Sequence, residues 1–72
     1  MPKPGDWVVL EQLPQGLLDG LPEEHQEAIE EIVGKPVVLN EYDEDGRAEL
    51  EFTDRNERIH FIYVNPCFIR ST

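Results

Sequence analysis

Between Gly34 and Ile69 the chain carries three runs of β-forming residues punctuated by two four-residue turn clusters, and this rhythm restricts the fold more than any other feature. The runs are Pro36-Val37-Val38-Leu39-Asn40-Glu41-Tyr42, Arg47-Ala48-Glu49-Leu50-Glu51-Phe52-Thr53 and Arg58-Ile59-His60-Phe61-Ile62-Tyr63-Val64. Asp43-Glu44-Asp45-Gly46 and Asp54-Arg55-Asn56-Glu57 have the composition of tight turns, so hairpin links are expected. In the middle run Ala48, Leu50 and Phe52 alternate with Glu49, Glu51 and Thr53, which separates a core face from a solvent face. The last run has large apolar groups in both sets, Ile59/Phe61/Tyr63 and His60/Ile62/Val64. We take Ile62 and Val64 as the inward pair.

Asp6-Trp7-Val8-Val9-Leu10-Glu11-Gln12-Leu13 reads as a first strand, stopped by Pro14, which cannot donate to a ladder. Val8 and Leu10 share one face, Trp7 and Val9 the other. Pro14-Gln15-Gly16-Leu17-Leu18-Asp19-Gly20 is a loop anchored by Leu17 and Leu18. Leu21, Ala28, Ile29, Ile32 and Val33 then form the stripe of an amphipathic helix over about residues 22–33, with glutamates on its other side. Pro22 suits its first turn, Glu23 and Glu24 complement its dipole, and Gly34 ahead of Lys35-Pro36 supplies a left-handed stop. Glu30 and Glu31 stand at the unfavourable end of that dipole.

A chain of 72 residues has room for one domain, spanning 1–72, and for one core. The single cysteine, Cys67, excludes an internal disulfide and favours a reducing compartment; we expect it to pack against the end of the sheet as a small buried residue. Met1 to Asp6 has no apolar run behind Lys3, and no stretch approaches the roughly 18 apolar residues of a membrane span, so a cytoplasmic protein without membrane contact is expected. Sixteen acidic against six basic residues give a net charge of −10, which repels nucleic-acid phosphates and anionic lipid and favours a basic protein partner. The acids fall in two blocks, Glu23, Glu24, Glu27, Glu30, Glu31 and Glu41, Asp43, Glu44, Asp45, Glu49, Glu51.

The succession of strand, helix-bearing loop, three hairpin-linked strands, half-turn and closing Phe68-Ile69-Arg70 strand resembles the SH3-like barrel over Gly5 to Arg70. Asn65-Pro66-Cys67-Phe68-Ile69 looks like the Pro-x-x-Tyr-Val half-turn of eukaryotic SH3 domains, with Phe68 for Tyr, Ile69 for Val and the Pro one place later. Those domains bind proline-rich peptides through an Ala-Leu-Tyr-Asp-Tyr strand and a Trp; here Val8-Val9-Leu10-Glu11 and Arg47-Ala48 stand in those places, so that ligand is not expected. The closer likeness is to compact single-domain prokaryotic barrels of unassigned role. It implies a mainly β, five-stranded SH3-like barrel with one short helix between the first two strands, serving as an accessory or interaction module.

Catalytic and metal chemistry find no motif. His25, His60 and Cys67 lie too far apart for paired zinc ligands, which recur two to five residues apart. Asp43-Glu44-Asp45-Gly46 departs from a calcium loop because Phe52 occupies the closing acidic position, so a plain hairpin turn is expected there. No nucleophile has an oriented base in view. The expectation is therefore no enzyme, no cofactor and no metal. Above that background stand the aromatics Trp7, Tyr42, Phe61 and Tyr63, expected to face outward with the helix covering half of them, and the helix acids Glu23, Glu27, Glu30 and Glu31. Together they suggest a protein-docking surface on a monomer or weak strand-edge dimer. The alternatives are an acidic inhibitor or immunity-type protein that mimics nucleic acid on one continuous acidic face, and a small regulatory subunit of an enzyme complex.

Overall fold

Two aspartates set the hairpins. Asp43 Oδ1 accepts the N–H groups of Asp45 and Arg47 at 2.9 and 2.8 Å, and Asp54 Oδ1 accepts those of Asn56 and Arg58 at 2.7 and 3.0 Å. Each turn then closes identically: Asp43 and Asp54 donate their N–H groups to the carbonyls of Arg47 and Arg58. The residue before each arginine is left-handed, Gly46 at φ 79° and Glu57 at φ 63°. Glycine adopts that conformation freely, whereas Glu57 is held in it at a cost of about 1–2 kcal/mol.

The computed structural model describes residues 1–72. In chain order come β1 (Trp7–Leu10), α1 (Glu23–Ile32), β2 (Pro36–Tyr42), β3 (Ala48–Thr53), β4 (Ile59–Val64), a 3-10 turn (Pro66–Phe68) and β5 (Ile69–Ser71). All strand pairs are antiparallel, in the spatial order β4-β3-β2-β1-β5. The expected barrel is thus found as one open five-stranded sheet, since no ladder joins β4 to β5. The helix is a residue shorter at each end than the stripe suggests. Pro22 is extended at ψ 148°, and Val33 leaves the helix so that the Gly34 N–H reaches the Leu10 carbonyl at 3.0 Å. β1 ends at Leu10 rather than Leu13, because its partner β5 is only three residues long.

One cluster of thirteen buried side chains occupies the inner face of the sheet: Val8 and Leu10 of β1, Val37 and Leu39 of β2, Ala48, Leu50 and Phe52 of β3, Ile62 and Val64 of β4, Ile69 of β5, and Ala28, Ile29 and Ile32 of the helix. Ile62 and Val64 point inward, as expected, and Leu17 and Leu18 pack against the cluster from the long loop. Val9 is also buried, on the outer side between its cross-strand neighbours Pro36 and Arg70.

Two residues face the opposite way from expectation. The pairing of β2 with β3 slips between Leu39 and Glu41, so that Asn40 is an extra residue and Tyr42 falls opposite Ala48 on the inner face. Tyr42 is therefore half-buried against the core, and its hydroxyl donates to the Pro2 carbonyl at 2.6 Å. Cys67 is exposed, not packed: the 3-10 turn sends Phe68 toward the core and Cys67 to solvent.

Truncating the fully buried Leu50 to Ala should lower stability by about 2–5 kcal/mol, whereas Glu57→Gly should raise it by up to about 1 kcal/mol, both read from denaturant midpoints at unchanged slope.

Candidate functional site

The strand pleat sends every second side chain of the sheet to the face that α1 does not cover. On β4 these are Ile59, Phe61 and Tyr63, and on β1 Trp7; all four are exposed, at 59, 48, 44 and 57%. The helix leaves them bare because Ala28, Ile29 and Ile32 insert into the cluster on the opposite side of the sheet. The expected half-covering of the aromatics by the helix is thus not found. Nor do the aromatics form one group. The register aligns Trp7, Val38, Glu51 and Phe61 in one row across four strands, which separates the two rings by three strand spacings, about 14 Å.

Between them stand two carboxylates locked in place. Asn40 Nδ2, displaced by the bulge, donates to Glu49 Oε2 at 3.0 Å and to Glu51 Oε1 at 2.9 Å. The Tyr63 hydroxyl donates to Glu49 Oε1 at 2.8 Å, and this bond to a negative partner pushes the phenol above its ordinary value. The Arg47 guanidinium lies 5.6 Å from the centre of the Tyr63 ring and pairs with Asp43 at 2.9 Å. The outer face thus alternates large apolar groups with fixed negative charge.

The helix acids point elsewhere. Glu23, Glu27, Glu30 and Glu31 are exposed on the solvent side of α1, away from the buried Ala28, Ile29 and Ile32. Glu31 pairs with Arg55 and Glu24 with Arg58, ties that join the helix to the β3–β4 turn and offset the carboxylate at the helix end. Glu31 also borders an open groove of about 350 Å³ beside Trp7, walled by Ile32, Pro36, Val38 and Glu51. Of the residues flagged by sequence, then, Phe61, Tyr63 and Trp7 share a face, Tyr42 turns inward, and of the helix acids Glu31 reaches the groove beside Trp7. Sequence reasoning left out Ile59 and Asn40. Ile59 follows from taking Ile62 and Val64 inward, but Asn40 depends on a bulge that no local signal marks.

A second polar cluster lies under α1. His60, opposite Phe52, bonds through Nε2 to Asp54 Oδ2 at 2.8 Å, and its ring lies 4.7 Å from the His25 ring and 5.5 Å from Phe52. His25 Nε2 is buried without a partner. Burial first, then the neighbouring His60, hold His25 below its ordinary value. The His60 bond, followed by the backbone N–H of Arg58, holds Asp54 down at about 2. No hydroxyl or thiol hydrogen-bonds to this pair, and no three His, Cys, Asp or Glu side chains converge as a metal site. No helix is long and apolar enough to cross a membrane.

The pH dependence follows in two limbs. Since the folded His25 resists protonation, its contribution is complete above the unfolded value of 6.5 and is lost as pH falls through that value toward the lower folded one. The Asp54 contribution is complete above the unfolded 3.8 and is lost as pH falls to about 2. The thermal midpoint should therefore fall as pH drops below about 6.5 and again below about pH 4. His25→Leu should flatten the first limb and keep the second, as scanning calorimetry would show.

No protein family, no curated protein and no solved structure matches the chain.

Proposed function

We propose that this protein is a non-catalytic docking module that binds a basic protein partner through the outer face of its sheet. The observation that carries the reading is the set of four large apolar side chains exposed on the face opposite the helix, interleaved with Glu49 and Glu51. Exposed aromatics supply contact area at low entropic cost, and flanking carboxylates select cationic partners and speed encounter. The net charge of −10 extends that preference over long range at low salt. The strand order, the helix in the first connection and the 3-10 half-turn before β5 support an SH3-like barrel as the finer description of the fold, and an accessory role in the cytoplasm belongs to the same reading.

The docking surface differs from the one composed from sequence. It keeps Trp7, Phe61 and Tyr63, gains Ile59, Glu49 and Glu51, and loses Tyr42 and the helix acids. Mimicry of nucleic acid requires one continuous acidic face, and the large apolar Trp7, Ile59, Phe61 and Tyr63 exposed among the outer-face carboxylates are the reason that reading is not adopted.

Affinity capture from lysate of the source cells should yield a discrete partner whose recovery falls with salt. Phe61→Ser should cut that recovery roughly ten-fold or more while leaving the fold intact, as expected for a hot-spot aromatic. Full recovery with Phe61→Ser would remove the outer face as the docking surface.

A further inference from the structure

The edge of β4 is unguarded. In the sheet order β4 and β5 are the edge strands, and β5 is blunted by its length of three residues and by Arg70. β4 is six residues long and holds no Pro, Lys, Arg, Asp or Glu from Ile59 to Val64. The turn bond from Asp54 to Arg58 makes that couple a hydrogen-bonded pair, and antiparallel ladders alternate. Phe52/His60, Leu50/Ile62 and Ala48/Val64 therefore exchange bonds within the sheet, which leaves the N–H and C=O groups of Ile59, Phe61 and Tyr63 directed to the open edge. No loop or side chain of the protein bonds to them. The three residues with free backbone groups are the same three of β4 whose side chains stand exposed on the outer face.

We infer that β4 is an acceptor for strand addition, taking an extended segment of a partner protein in which lysine or arginine alternates with apolar residues. Main-chain bonds to Ile59, Phe61 and Tyr63 fix the segment. Its outer-face side chains lie beside Phe61 and Tyr63, and long cationic ones reach across them toward Glu49 and Glu51, one strand further in. The same charge argues against a second copy as the occupant, because β4-to-β4 pairing would bring together two chains of net charge −10. The inference rests on the outer-face docking reading and adds the mode of binding and the kind of segment bound.

The test uses an eight-residue peptide of alternating lysine and valine, titrated into the isotope-labelled full chain. In the free protein the amides of Ile59, Phe61 and Tyr63 should exchange quickly and those of His60, Ile62 and Val64 slowly; the peptide should slow the first set at least ten-fold. Methylating the backbone nitrogens of one alternate set of peptide residues should abolish binding, and methylating the other set should be tolerated, because only one set faces β4. Phe61→Pro, which removes an edge donor without breaking the β3 ladder, should weaken binding at least ten-fold in a chain that remains folded by circular dichroism. Absence of binding, equal effects of the two methylations, or a β4-mediated homodimer in light scattering would each overturn strand addition. If any of these occurs while Phe61→Ser still cuts partner capture, the docking face stands and only the mode falls.

Discussion

A six-residue strand with five apolar side chains cannot hide them all on one face of a sheet, and most of this structure follows from how β4 resolves that excess. The pleat commits Ile62 and Val64 to the core and so forces Ile59, Phe61 and Tyr63 outward. A single short helix can cover only one side, and it covers the side where Leu39, Leu50 and Phe52 already form a floor. The outer side is left with apolar surface that folding does not use. The proposed docking of a basic partner would use this surface.

Charge is distributed to suit that division. On the helix side, Arg55 and Arg58 of the β3–β4 turn are spent on Glu31 and Glu24, so two of the few basic residues serve to attach α1. On the outer side, Asn40 holds Glu49 and Glu51 with neutral hydrogen-bond donors and leaves their charge uncompensated. The bulge that delivers Asn40 to these carboxylates also rotates Tyr42 into the core, so one backbone irregularity both arranges the acidic pair and removes an aromatic from the exposed set.

The legible parts of the fold were those governed by local chemistry. Turn composition placed both hairpins, Gly34 marked the helix end, and the alternation of Ala48, Leu50 and Phe52 identified the inner face. What escaped depends on contacts distant in sequence. Nothing near Asn40 signals that β2 gains a residue against β3, nothing near Cys67 distinguishes the two sides of the 3-10 turn, and the amphipathic stripe of α1 does not say which face of the sheet it will cover. The same limit applies to the site: Phe61 and Tyr63 were readable from strand parity, whereas their separation from Trp7 by Val38 and Glu51 appears only once the four strands are in register.

The docking surface exists only because the helix lies against one face of the sheet and leaves the other open. Nuclear Overhauser contacts from the Ala28 and Ile29 methyl groups test this most directly. They should reach Leu50 and Ile62 and the His25 ring should reach His60, with none to the rings of Phe61, Tyr63 or Trp7. Contacts from the helix to Phe61 or Tyr63 would contradict the account, because the surface assigned to a partner would then already be occupied by the chain itself.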